Sequence, residues 1–320
     1  MKLGVFTPVL ADRDLPSAVD FLVKNGVEAA ELGVGGFPGH DHCEPDLLLS
    51  DNAKAEQFRR VFEDNGVIIS AFSAHGNPVH PNKETAKMYD ETITKGILLA
   101  EKMGVPVVNT FSGCPGDCPT ASHPNWVTAP WPPEFLDILD YQWNEVLIPY
   151  WKQKAQFAKE HGVKIAFELH PGFCVYNTET MLRIREAAGE NIGANFDPSH
   201  LVWQGMDPVL AIRKLGDAIF HFHAKDTKID KYNTALNGVL DTKHYGDELN
   251  RSWIFRSVGY GMDKTKWKEI VSALRAVGYD YVMSIEHEDS LFSGGEGLMK
   301  AIRFLKDVMA FQPKGEMWWA

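Results

Sequence analysis

The chain is poor in several things at once. Its 320 residues hold four cysteines, too few for a disulfide scaffold. Cys114 and Cys118 sit in CPGDC, with three residues between them where the usual redox motif has two. Cys43 and Cys174 stand alone, and the usage fits a reducing cytoplasm, which is the expected location. No apolar run approaches the ~18 residues of a membrane helix. The N-terminal MKLGVFTPVL turns acidic at Asp12, too soon for a signal peptide. No low-complexity linker divides the sequence, so one domain over 1–320 is expected, with a C-terminal extension at about 311–320. Basic residues are also short. The 32 Lys and Arg against 43 Asp and Glu give a formal net charge of −11. Partners held by phosphate neutralisation are thereby disfavoured, so neither nucleic acid nor a membrane is expected. A divalent cation is not disfavoured.

What the chain does have is alternation. Short apolar, mostly β-branched runs at 3–6, 27–32, 67–72, 105–111, 163–168, 191–196, 218–223 and 281–286 read as strands. Helical patterns lie between them. Those at 16–25, 52–65, 83–103, 134–161 and 264–277 each run into a glycine, after which an apolar strand begins. That is the helix-to-strand connection of a parallel sheet. Eight strands alternating with helices predict a closed (β/α)8 TIM barrel. A doubly wound open sheet is the alternative, but FTPVLADRD after the first strand lacks a Gly-rich phosphate fingerprint. Two long connections, 112–133 after the fourth strand and 224–262 after the seventh, are expected to lie over the catalytic face.

In a barrel, polar residues at strand C-termini face the site. Strand 5 ends in FELHPG, exposing Glu168 and His170; strand 6 runs into NFDPSH, exposing Asp197 and His200. Strand 7 ends in HFHAKD with His221 or His223, and strand 8 in SIEHED with Glu286 or Glu288. Four neighbouring strand ends carrying such groups would be costly to bury without a neutralising cation. Two or three carboxylates with one imidazole suit Mn, Mg, Co or Zn. Alternation along a strand puts His221 and His223 on one face, Phe220 and Phe222 on the other. His223 is nearer the rim, and Glu286 is nearer the strand proper than Glu288.

The chain resembles, end to end, the sugar-phosphate isomerase/epimerase family with the xylose isomerase-like barrel. The resemblance implies one divalent metal, Mn2+ or Mg2+ foremost with Co2+ or Zn2+ as alternatives, held by Glu168, Asp197, His223 and Glu286. It implies that His200, in DPSH, contacts substrate oxygens. Two departures leave the substrate open. Ketose epimerases carry another Glu soon after the strand-5 ligand, where Pro171, Gly172, Phe173 and Cys174 stand here. They also lack a connection like 224–262, whose RSWIFRSVGYG looks similar to proteins of 3-keto-sugar metabolism and to C-glycoside deglycosidase catalytic subunits.

The expected activity is a metal-dependent sugar or keto-sugar isomerase or epimerase. Proton abstraction α to a carbonyl gives an enediolate, with Glu168, Glu286 and His170 as the acid/base candidates. A lyase cleaving a 3-keto-glycoside, including a C-glycoside, uses the same carbanion and is the alternative. A non-catalytic sugar-binding barrel and an endonuclease IV-like nuclease rank last. His75, Lys225, Asn109 and Arg256 are further substrate-binding candidates; Glu31 and Arg251 are weaker ones, and His40, His42 and Glu44 in GHDHCEP read as a solvated loop rather than a metal cluster. Trp126, Trp131 and Trp253 either stack on a sugar or pack the long loops. The small-molecule partner is a sugar or keto-glycoside. A homo-oligomer is expected, with Trp318 and Trp319 as burial candidates, and an accessory subunit if the enzyme is a deglycosidase.

Overall fold

The computed structural model describes residues 1–319. Eight parallel strands close on themselves: β1 (Lys2–Phe6), β2 (Ala29–Gly33), β3 (Ile68–Ser73), β4 (Val107–Thr110), β5 (Lys164–Glu168), β6 (Ile192–Phe196), β7 (Ile219–Ala224) and β10 (Val282–Ile285). Each pairs with its sequence neighbour in the barrel, and β1 closes on β10. The (β/α)8 barrel predicted from the alternation is therefore the fold.

The helices pack their apolar stripes outside the barrel. Helix Leu15–Lys24 buries Ala18, Val19 and Leu22, and Asp14 caps it by accepting a hydrogen bond from the Ser17 amide. Helix Lys83–Met103 closes on Gly104 at φ 71°, a left-handed cap that frees the chain to turn into β4. The predicted helix 134–161 is broken by a π-helical stretch, Tyr141–Leu147, between Glu134–Asp140 and Ile148–Glu160. Consecutive Gln142 and Trp143 are both buried there. Gln142 Nε2 reaches the carbonyls of Pro115, Gly116 and Asn125 at 3.2, 3.2 and 2.7 Å, so it anchors the 112–133 connection.

Connection 224–262 is largely structured. Strands β8 (Asp226–Ile229) and β9 (Trp253–Arg256) form an antiparallel ribbon, with a short helix Lys231–Asn237 between them. Asp226 fastens the ribbon to the barrel. Its carboxylate accepts from the amides of Thr227, Gly259, Gly261 and Met262 at 2.8–3.2 Å and from Trp267 Nε1 at 3.0 Å.

The barrel interior is apolar at its N-terminal end and polar above. Ala71, Val107, Ala166 and Phe220 form the floor. Strand alternation put Phe220 outside with Phe222; the structure corrects this. The β6–β7 register jumps from Ala194↔Ile219 to Asn195↔His221, so Phe220 is the extra residue and turns inward. Gly193 makes room, since a Cβ there would sit 2.6 Å from the Phe220 ring. Among the described residues no helix is long and apolar enough to cross a membrane. Met317, Trp318 and Trp319 are exposed, and Ala320, the end of the expected extension, lies outside the described residues.

Candidate metal and substrate site

Strand parity brings Glu168, Asp197, His223 and Glu286 to one point at the C-terminal end of the barrel. One donor atom from each lies within 4.8 Å of the others. His223 Nδ1 is 3.1 Å from Glu286 Oε2 and 3.4 Å from Glu168 Oε2. Asp197 Oδ2, His223 Nδ1 and Glu286 Oε2 are buried and lack any well-directed hydrogen bond.

A second layer lies just beneath. Glu31 on β2 accepts from His223 Nε2 at 2.8 Å, Ser73 Oγ at 2.6 Å and Asn109 Nδ2 at 2.8 Å. This holds a His223 proton on Nε2 and aims Nδ1 at the four-residue cluster, the usual arrangement behind a metal-ligating histidine. Glu31, His221 and His223 also form a group with metal-compatible atoms. There, however, both His221 nitrogens are occupied, Nδ1 by Asn195 Oδ1 at 3.1 Å and Nε2 by Ser70 Oγ at 3.1 Å.

Lys225 is more central than a rim residue. Fully buried, its ammonium lies 2.8 Å from Glu286 Oε2, 3.1 Å from Asp197 Oδ2 and 4.0 Å from Glu168 Oε1, and donates to Glu288 Oε2 at 3.0 Å. Burial opposes its charge, but Asp197, Glu286 and Glu288 hold its pKa well above the ordinary lysine value. The neutralising cation demanded by four polar strand ends is thus partly supplied by the chain. It does not suffice. Burial, with the like charges of Glu168 and Glu286, pushes Asp197 up to about 7 despite Lys225. Burial also works against Glu286, yet Lys225 and His223 bring it down to about 2. Glu168 is held well below the usual range, burial being outweighed by contacts from His200, His223, His75 and Lys225.

Around this bowl stand three more histidines. His200 Nε2 is 2.9 Å from Glu168 Oε1, and His75 Nε2 is 3.0 Å from Glu168 Oε2. The His170 ring lies 4.1 Å from that of His200, and its Nδ1 donates to the Pro171 carbonyl at 2.6 Å. Burial lowers the pKa of both His170 and His200, favouring neutral imidazoles.

Other expected contacts are committed elsewhere. Asn109 is buried in the lower layer, bound to Glu31 and His221. Arg256 Nε pairs with Asp289 at 3.0 Å and ties the ribbon to the loop after β10. Arg251 is buried in the insert, over the rings of Tyr245 and Trp253 at 4.5 and 4.6 Å. His42 Nε2 contacts the Arg13 carbonyl and His40 pairs with exposed Glu44, so that loop assembles no metal group. Trp253 stacks on Trp203 at 4.4 Å and Trp126 packs edge-on to Tyr176, while Trp131 is exposed. Glu31 and His221 contribute more than their sequence positions suggest. The available signal was parity, since Glu31 shares a face with the rim and His221 with His223.

Residues 19–308 match the family described as xylose isomerase-like TIM barrel. The chain belongs to that family. It is 39% identical to the uncharacterized protein YfiH of Bacillus subtilis strain 168, over 97% of this chain and 100% of that protein. An inosose dehydratase of Geobacillus thermodenitrificans is 25% identical over 52% of this chain and 55% of its own. Among solved structures, the IOLI protein with a bound zinc atom superposes with a TM-score of 0.67 at 17% identity, covering 96% of this chain and 98% of that one. The 3-keto-D-glucoside 4-epimerase YcjR of E. coli superposes with a TM-score of 0.65 at 12% identity, covering 96% and 99%. Family membership makes this a sugar-enzyme-like barrel; the two superpositions carry the fold alone.

Proposed function

We propose that the protein is a divalent-metal-dependent isomerase or epimerase of a sugar or keto-sugar, with Glu168, Asp197, His223 and Glu286 as metal ligands. The observation that carries this reading is the convergence of buried donor atoms on Glu168, Asp197, His223 and Glu286, three of which lack a well-directed hydrogen bond, backed by a Glu31 that aims His223. Mixed carboxylate and imidazole donors fit Mn2+ or Mg2+, and accept Zn2+ or Co2+. Zinc in the IOLI structure lends support.

A bound dication would polarise adjacent substrate oxygens and make the α-proton easier to remove. The chain's own residues do the rest. Glu286, at the bowl's edge, is the better placed proton acceptor, because Glu168 is saturated by three histidines and Lys225. His170 donates its Nδ1 proton to the Pro171 carbonyl and leaves Nε2 as a lone pair, so it can accept a proton on the side of the β5 loop. Lys225 and His200 bracket Glu168 and are available to orient substrate oxygens.

Elimination of a β-substituent from the same carbanion is the second reading, favoured by the inosose dehydratase similarity. The test is exchange in D2O. The Mn2+-loaded protein is incubated with keto- and aldo-sugars and C–H signals are followed by NMR. Solvent deuterium should enter the carbon next to the carbonyl. Loss of a substituent with a new double bond would mark the lyase, and metal binding without exchange on any ketose or keto-glycoside would sink both readings.

A further inference from the structure

The metal and substrate cluster occupies the C-terminal end of the barrel. At the opposite end, where the strands begin, lies a second cavity of about 470 Å³. Val107 and Ile219 line it at the starts of β4 and β7, with the rings of Phe220 and Tyr281 beside them. The Tyr281 hydroxyl is spent on the Ser70 carbonyl at 2.9 Å, so its ring is what it offers to the cavity. Lys164 stands 4.6 Å over the Phe220 ring and has no carboxylate partner among the described residues. Asp217 and Asp280 complete the rim.

The C-terminal segment leaves the barrel at this rim. The Met1 ammonium donates to Asp280 Oδ1 at 2.6 Å and to the Ala310 carbonyl at 3.2 Å, so Ala310 and the cavity edge share one anchor. From there the chain reads FQPKGEMWWA. Its apolar side chains lie open to solvent. Trp318 is 87% exposed and stands edge-on to Trp319 at 5.7 Å, while Met317 and Phe311 are exposed as well. A contiguous apolar patch of this kind marks an interaction surface. The seven residues from Phe311 to Met317 can span roughly 25 Å at about 3.5 Å each, enough to cross to a facing molecule.

We propose that two copies of this chain pair across the N-terminal ends of their barrels, each seating Trp318 and Trp319 in the other's cavity. The indoles then lie against the rings of Phe220 and Tyr281, where flat apolar faces bury best. The charges match the same placement. Glu316, two residues before Trp318, meets the partner's Lys164, and Lys314 meets the acidic rim. Because each copy gives a tail and receives one, the contact is self-complementary and closes at two. A buried Trp covers about 150–250 Å². Four indoles and the surfaces they cover therefore reach the ~1,200 Å² at which stable interfaces begin. Both barrel mouths stay open to solvent, whatever chemistry they perform.

Sedimentation velocity of the full-length protein over a concentration series tests this. A reversible dimer is expected. Replacing both tryptophans, Trp318→Ala with Trp319→Ala, should raise its Kd at least tenfold, and their exposure means that the fold survives the change. Lys164→Glu and Glu316→Lys should each raise the Kd at least fivefold, since the pair occurs twice in the dimer. Combined in one chain, the two reversals should bring the Kd back to within about twofold of the wild type, which only a direct pair achieves. Leu236→Ala, exposed on the insert at the other end of the barrel, should leave the Kd unchanged. A protein that stays monomeric throughout, a dimer indifferent to the tryptophan pair, or charge reversals that fail to compensate each other would each overturn the proposal.

Discussion

The upper and lower polar layers of the barrel contain similar residues and treat them differently. Below, every oxygen and nitrogen of Glu31 and His221 has a partner within the protein. Above, Asp197, Glu286 and His223 each present a buried atom that lacks a well-directed hydrogen bond and faces only its fellow donors and the Lys225 ammonium. Carboxylate and imidazole are not in themselves the mark of a reactive centre. What separates the layers is whether the chain satisfies its own groups. The lower layer holds geometry, and on the proposed reading the upper one is where a cation would bind.

That contrast can be broken from the top down. Glu168→Gln should weaken Mn2+ binding at least 100-fold by titration calorimetry, since it removes a ligand and its charge together. Its metal-free melting temperature should fall, because the variant gives up the contacts from His200, His75 and Lys225 that hold Glu168 ionised. Unchanged metal affinity would remove Glu168 from the site. Glu31→Gln should cost about 10–100-fold in metal affinity, the scale of losing a partner behind a ligating histidine; an unchanged affinity would remove Glu31 from the site. Lys225→Met should act with opposite sign and tighten Mn2+ by roughly tenfold, since an ammonium about 3 Å from two ligand carboxylates repels the dication. Weaker binding would mean that Lys225 builds the site instead of competing for it.

The smallest effect concerns pH. Asp197 titrates near 7 in the metal-free fold against an ordinary 3.8, chiefly through burial. Its folded pKa is raised, so the folded state binds the extra proton. Stability is full below about pH 4 and declines as pH rises through 7. Between pH 5 and 7.5 the melting temperature of the metal-free wild type should fall relative to that of Asp197→Asn. Equal slopes in both proteins would contradict the assignment.

Much of this was legible in the sequence because it is periodic. Alternation gave eight strands, glycine stops gave their starts, and position along the strand chose His223 over His221 and Glu286 over Glu288, which parity alone left together. What escaped was non-local. The His223–Glu31 contact spans 192 residues, and no local pattern joins them. Lys225 read only as a substrate-binding candidate because chain position cannot reveal which carboxylates surround it. Phe220 broke parity through a bulge whose cause lies on the neighbouring strand, at Gly193. The insert looked like a loop because its two strands are only four residues each and pair across a gap.

Asp226 follows Lys225 directly, and its carboxylate is buried under donors from residues 259–262 and from the Trp267 indole. Before those donors arrive it would be an unpaired charge in an apolar setting. One carboxylate therefore ties residues 259–262 to the helix Lys264–Ala276, where Trp267 lies. In hydrogen exchange the amides of Gly259, Gly261 and Met262 should open together, and Asp226→Asn should release them as a group while the barrel amides stay protected.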